Sequence, residues 1–277
     1  MHHSKYNILM SIDLIISYYK EDLDWLNDYE NINFRNIFIY NKSGQEIHNI
    51  NRPFIEIKLD NIGKCDHTYL YHIIEKYNDL ADVNIFTTGS VSLPHKTDQF
   101  NIIINQSIKT LNTVFLANNY TENVANDHYN FTLDNYSSSH INNKSIIENN
   151  NNLLFSNIRP FGLWYEKFFS NIIINRINYF GIFAVSKQHI IHHNINYYKN
   201  LINEFPDHPN PEVGHYFERS WLAIFHPIPE NCILPNYESF STDKPQIISY
   251  YFQNPFRRTF RRPFRRTLGR TLGRTFI

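Results

Sequence analysis

Gly63-Lys64-Cys65-Asp66-His67-Thr68-Tyr69-Leu70-Tyr71-His72-Ile73-Ile74-Glu75-Lys76-Tyr77, followed after a short gap by Asp82-Val83-Asn84-Ile85-Phe86-Thr87-Thr88-Gly89-Ser90, decides the fold class. Leu70, Ile73, Ile74 and Tyr77 fall at i, i+3, i+4 and i+7, which is one apolar face of a helix. Asp66 can cap that helix, because its carboxylate accepts the free N–H groups of a first turn. Val83 to Phe86 reads as a short strand, and Thr87 to Ser90 as the polar loop at its carboxyl end. In open α/β sheets, loops at the carboxyl ends of strands are where ligands sit.

Working outward from this unit, Ile12 to Ser17 is an apolar run with one Asp, short enough for a buried strand. A polar turn follows, and then a short helix carrying Leu23, Trp25 and Leu26. Ile37 to Tyr40 and Phe54 to Leu59 read as two more strands. The order strand, helix, strand, strand, helix, strand predicts an α/β fold with a mostly parallel sheet flanked by helices.

Further on, Phe180 to Ser186 reads as a strand with Ser186 as the cap of a helix from Lys187 to Phe205. Pro206, Pro209 and Pro211 end that helix. His215 to Phe225 forms another, with Phe217, Trp221, Ile224 and Phe225 as its buried stripe. Between these halves, residues 101–152 look Asn-rich and irregular, which predicts an insertion, either partly disordered or a lid. A single domain over residues 1–250 is expected, with 251–277 as a disordered low-complexity tail.

The chain has 38 Asn and 38 Ile, so asparagine motifs carry little information and the coding genome is expected to be AT-rich, as in some viruses and protists. The sequons at Asn41, Asn105, Asn119, Asn130, Asn135 and Asn143 are therefore read as chance. Net charge is zero, but eight arginines lie between Phe256 and Ile277, so the body is acidic and does not suit nucleic acid. The tail suits an anionic partner. Two cysteines make neither a disulfide framework nor a zinc signature. No signal peptide and no run long enough to span a membrane is present, which suggests a soluble cytoplasmic protein, or one of the host cytoplasm or virion if the genome is viral. No Gly-x-Gly-x-x-Gly, P-loop or nucleophile elbow occurs, which disfavours dehydrogenases, P-loop nucleotidases and serine hydrolases.

His67-Thr68-Tyr69-Leu70, His72-Ile73-Ile74, Asp82-Val83, Tyr18 to Leu26 and Trp164-Tyr165-Glu166-Lys167 together resemble a family of fungal, protist and viral proteins that is similar to glycosyltransferases of the GT-A type. Glu218-Arg219-Ser220-Trp221 resembles the Glu-x-x-Trp of mucin-branching N-acetylglucosaminyltransferases. The resemblance implies a GT-A sheet and transfer of a sugar from a nucleotide-sugar donor to a glycan or protein acceptor. Glu218 would be the catalytic base, with a structural carboxylate as the rival reading. Tyr18, Glu21, Asp22, His67, Thr68, Tyr69, Gly89 and Ser90 would face the donor, although Asp22 also suits a helix cap. As bare residues, His67 and His72 are more often packing or capping groups. Lys96, Arg219 and Lys244 are candidates for the diphosphate, and Trp164 and Trp221 for the acceptor side.

GT-A enzymes usually place a metal-binding DxD after the fourth strand, and here that loop is Thr87-Thr88-Gly89-Ser90. A metal-independent transferase without a required cofactor is therefore expected. The alternative is a non-catalytic relative that binds glycan or nucleotide sugar and serves assembly. His189, His192 and His193 have metal-compatible helical spacing but no acidic partner motif, and are read as a solvated helix face.

Overall fold

The computed structural model describes residues 10–135 and 153–236. Lys244, the arginine-rich tail, residues 136–152 of the expected insertion and the expected domain boundary at residue 250 all lie outside the described residues.

The sheet is α/β and mostly parallel, as its sequence order predicts. It contains β1 (Ile12–Tyr18), β2 (Asn36–Asn41), β3 (Ile55–Lys58) and β4 (Val83–Thr88). A fifth member, β6 (Phe183–Ser186), follows later in the chain, after the short β5 (Phe115–Leu116). The spatial order is β3-β2-β1-β4-β6, parallel throughout except where β6 runs antiparallel to β4. β5 pairs with β7 (Ile233–Leu234) in a separate two-stranded ribbon.

β1 is buried along its whole length, which is why it reads as an unbroken apolar run instead of an alternating one. Alternate residues face two different cores. Ile15, Phe38, Tyr40 and Phe86 pack beneath α1 (Lys64–Glu75) and α4 (Phe161–Phe169). Leu14, Ile16, Ile37, Ile39 and Ile85 pack on the other face, against a 3-10 helix (Asp24–Tyr29) and α2 (Pro94–Thr110). Helices on both faces follow from connections between parallel strands, which must cross the sheet.

The connection from β1 leads outward to β2 and β3, and α1 then carries the chain back across β1 to β4. The carboxyl ends of β1 and β4 therefore flank a topological switch point, where loops diverge and leave a crevice. At the opposite end of β1, the buried Asp13 carboxylate accepts from Arg35 Nε at 3.0 Å and from the Asn36 N–H at 3.0 Å, so that end is filled by protein.

Several local expectations change. Asp66 lies inside the first turn of α1, whose cap is Gly63 in the left-handed conformation at φ 58°. Residues 101–135 are not an irregular insertion. They contain most of α2, which starts at Pro94 where a missing N–H costs nothing, then β5 and α3 (Glu122–Tyr129). The Asn-rich composition masked the apolar stripe of Phe100, Ile103 and Ile104.

The expected helix from Lys187 to Phe205 is two helices, α5 (Lys187–Ile191) and α6 (Ile195–Ile202). Ser186 caps the first as predicted, and Asn194 caps the second by accepting from the Tyr197 N–H at 3.2 Å. Likewise, α7 (Glu212–Glu218) and α8 (Trp221–Ile224) replace one helix, with a break at Arg219 and Ser220.

Candidate functional site

The crevice is built from four turns of chain. The loop after β1 brings Tyr19, Lys20 and Glu21, and the loop after β4 brings Thr88, Gly89 and Ser90. The start of α1 brings Lys64, Cys65 and Asp66, and the end of α7 brings Glu218.

Glu21 ties the first two loops together. Its Oε2 accepts from the backbone N–H groups of Tyr19 at 2.8 Å and Lys20 at 3.1 Å. That carboxylate lies against Gly89, where an added Cβ would come within 2.8 Å of Oε2. Trp25 donates its indole N–H to the Gly89 carbonyl at 2.8 Å, which fixes the same loop from below. Asp22 is exposed, and its Oδ1 accepts from the Asp24 N–H at 3.1 Å, an Asx turn; the cap of the 3-10 helix is Leu23.

Lys96, in the first turn of α2, reaches back to Ser90 Oγ at 2.8 Å and Thr88 Oγ1 at 3.2 Å. Lys64, at the start of α1, places its Nζ 3.2 Å from His215 Nε2. Among the described residues neither lysine joins an ion pair with a carboxylate. Burial lowers the pKa of both, and Glu218 raises both; the charge of Lys96 further lowers that of Lys64. Lys64 nonetheless has an exposed side chain and Lys96 a half-buried one. Groups that protein atoms surround and solvent still reaches line a cleft.

On the facing wall, Glu218 is half-buried and its Oε1 accepts from the Phe180 N–H at 3.3 Å. Its Oε2 lies 3.7 Å from Arg219, a loose pair. Phe180 and Gly181 are both left-handed, at φ 71° and 63°. Gly63 and Lys64 form a second left-handed corner at φ 58° and 52°. Gly181 backs onto Cys65 and Tyr69, and the Tyr69 hydroxyl donates to the Gly181 carbonyl at 2.7 Å. Unfavourable backbone in two non-glycine residues thus borders one cleft, and such strain clusters at functional sites.

Asp66 is the most perturbed acid here. Burial chiefly, and then the Glu218 charge, push its pKa up to about 7, against the hydrogen bond from Trp221 and the thiol of Cys65. Burial and the neighbouring Asp66 hold the Cys65 thiol well above its ordinary pKa, so it is not a ready nucleophile.

The structure therefore brings together Glu218, Glu21, Gly89, Ser90 and Lys96 from the sequence-derived set. Tyr18 ends β1 with its side chain in the core beside Trp25 and Leu26. Thr68 is buried and bonded to Ser17 Oγ at 3.1 Å, and Tyr69 is buried under Gly181, so both support the crevice from behind. His67 packs on Tyr71 and Phe205, and burial lowers its pKa to about 4.

Three expected roles lose their geometric basis. Arg219 is buried, donates to the His215 carbonyl, and stacks over Phe131 at 3.7 Å, so its guanidinium is spent on a ring and on backbone instead of a phosphate. Trp164 is fully buried among Phe161, Phe168 and Phe217, with its indole N–H bonded to Glu204, and offers no face to an acceptor. Trp221 is also buried, and its indole serves Asp66. Of the three histidines, only His192 is a plain solvated residue: His189 bonds Thr113 at 2.6 Å and His193 stacks on Tyr197.

Lys64, Lys42 and Asp66 were missed as site residues in the sequence. The lysines precede and follow apolar elements without any motif, and Asp66 was explained as a cap. One signal was available: Gly63-Lys64 stands immediately before the helix whose start faces the switch point.

A hollow of about 650 Å³ elsewhere, between α3 and α4, is lined by Glu122, Glu166 and several Asn and Ile residues. Its charge would repel a phosphate, so size does not make it the better candidate. Among the described residues no group of three His, Cys, Asp or Glu could hold a metal ion, and the Thr88-Gly89-Ser90 loop offers no carboxylate, so the residues present do not fit the divalent metal that GT-A enzymes usually hold there. Among the described residues no helix is long and apolar enough to cross a membrane.

A sequence-family model described as "Protein of unknown function (DUF3431)" matches residues 14–240, a span that includes every crevice residue named above. No curated protein and no solved structure matches the chain.

Proposed function

The chain belongs to the family described as Protein of unknown function (DUF3431), and from that premise we propose that it is a glycosyltransferase of GT-A type that uses a nucleotide-sugar donor without a metal. One observation carries this reading. Lys96 reaches the loop at the carboxyl end of β4, and Lys64 opens the helix whose Thr68 bonds the end of β1; neither is neutralised by an ion pair among the described residues, and both feel the Glu218 charge. Neighbouring cations without a paired carboxylate repel each other unless an anion is shared. A diphosphate is an anion of the right chemistry, and the switch point of an open α/β sheet is where nucleotides bind. The β3-β2-β1-β4 parallel order, with antiparallel β6 beside β4, supports the GT-A assignment.

The proposed reaction is a single displacement. The Glu218 carboxylate takes the proton of an acceptor hydroxyl, and that oxygen forms a bond to the anomeric carbon. The bond from that carbon to the diphosphate oxygen breaks, and its electron pair leaves with the nucleoside diphosphate. Lys64 and Lys96 stabilise the charge that develops on the leaving oxygen. Phe180 N–H holds the Glu218 carboxylate in place, and Glu21 shapes the two loops that would border the nucleotide.

A thermal-shift screen of the full chain against UDP-, GDP- and CMP-sugars, with and without manganese, tests the reading, because a ligand bound only by the native state raises Tm. A selective shift without manganese is expected. Glu218→Gln should keep that shift and lower donor transfer and hydrolysis about 10²–10⁴-fold, the usual scale for removing a general base. A shift that requires manganese would overturn the metal-free mechanism. No shift at millimolar donor would replace the transferase with a glycan-binding relative.

A further inference from the structure

Resting on the anion site proposed above, we infer that Lys42 is a positioning residue that holds Lys64 in the crevice by gripping the backbone on both sides of it, without touching the ligand itself. Lys42 follows the carboxyl end of β2 and is only 6% exposed. Its ammonium donates to the carbonyls of Ile62 and Lys64. Between those two carbonyls the chain makes its left-handed corner, Gly63 at φ 58° and Lys64 at φ 52°.

Glycine adopts that conformation freely, but lysine does not, and its long side chain has no local hydrogen bond to compensate. Left to itself, the chain would relax at residue 64 and turn the ammonium elsewhere. Two more contacts oppose this relaxation: the Gly63 N–H donates to the His208 carbonyl at 3.0 Å, and the missing Gly63 Cβ leaves room for the Phe205 ring, which would stand 2.2 Å from it.

A loop that only had to turn would be served better by glycine or asparagine at residue 64. Here a strained lysine is kept, and a second, buried lysine holds its carbonyl. That arrangement is intelligible if the Lys64 ammonium must point at one place. From this corner Lys64 places its ammonium 3.2 Å from His215 Nε2, on the helix that ends in Glu218.

The test uses inorganic pyrophosphate as the probe, titrated calorimetrically into the full chain without metal. Wild type, Lys42→Met, Lys64→Met and the double variant form a cycle. Each single variant should weaken Kd about tenfold, and the double variant no further, because residues that act through one another are non-additive. Lys42→Arg, which keeps charge and donors, should recover Kd to within about threefold of wild type. If Lys42→Met lowers Tm below the assay temperature, Lys42→Gln, which keeps an amide donor, takes its place. An unchanged Kd in the Lys42 variant, or about a hundredfold loss in the double variant, would overturn the positioning role and leave the anion site standing. Failure of wild type to bind pyrophosphate would overturn both.

Discussion

The indole Nε1–H of Trp221 donates to Asp66 Oδ1 at 2.7 Å, and this bond joins the first turn of α1 to the start of α8 beneath the crevice. Asp66 carries its charge only above about pH 7, so the bond should strengthen with pH. Trp221→Phe keeps an aromatic ring beside Tyr69, Phe183 and Phe225 but removes the donor. A hydrogen bond to a charged group contributes about 1.5–3 kcal/mol and one to a neutral group less. Trp221→Phe should therefore cost about 1 kcal/mol more at pH 8 than at pH 5, read from urea denaturation at both values. Equal losses would mean that the bond does not sense the charge on Asp66.

The same carboxyl sets a slope in stability. Its folded pKa of about 7 stands above its ordinary value of 3.8, so between those values the native state holds a proton that the unfolded chain has lost. Native stability then falls as pH rises through that window and levels off above it. Asp66→Asn cannot titrate and still offers a carbonyl oxygen to Trp221. Relative to wild type it should gain stability as pH rises from 4 to 7, on the order of 2–4 kcal/mol across the window. Chemical denaturation across that range checks the sign, and a parallel profile in the variant would show that Asp66 titrates normally.

Much of the sheet was legible because β1, β2 and β4 are largely apolar and buried on both faces, which leaves an unmistakable run such as Ile12 to Ile16. The place of Gly89 and Ser90 in the loop after a strand was legible from the apolar run that precedes them. The breaks at Asn194 and at Arg219-Ser220 were not, because apolar spacing continues across them and only the local caps reveal a new helix. Residues 101–135 were misread for the opposite reason: asparagines between Phe100, Ile103, Ile104 and Ser107 hide a stripe that the fold buries. Lys96 was singled out in the sequence, but Lys42 and Lys64 were not, because the contact of Lys42 with the Ile62 and Lys64 carbonyls joins two separate loops and no spacing in one chain segment encodes it.

Gly89 separates donor binding from stability. A methyl group there would meet the Glu21 carboxylate, the movable end of a flexible side chain, and Gly89 does not have positive φ. Gly89→Ala should therefore cost under about 1 kcal/mol of stability, in the range of ordinary substitutions outside the core. It should nonetheless displace Glu21 from the Tyr19 and Lys20 N–H groups and loosen the loop after β1. The proposed nucleotide site would then bind its donor about tenfold more weakly, a loss of about 1.4 kcal/mol. A donor titration beside a melting curve reads both effects, and a large drop in Tm with unchanged affinity would make Gly89 a packing residue only.

Lys96 offers the sharpest test of the cation pair. Among the described residues its ammonium bonds the hydroxyls of Ser90 and Thr88, and it feels Glu21 and Glu218 from a distance. Burial lowers its pKa, so folding gains little from keeping it charged. Lys96→Met should leave Tm within a few degrees of wild type, since no ion pair breaks among the described residues. Against a diphosphate, however, the lost charge-assisted bond is worth about 1.5–3 kcal/mol, or roughly ten- to a hundredfold in Kd. Added salt should weaken the wild type more than the variant, because one fewer charge is left to screen. An isothermal titration with a nucleoside diphosphate at two salt concentrations would decide the matter. Equal affinities for Lys96→Met and wild type would show that the lysine anchors the Thr88–Ser90 loop and nothing more.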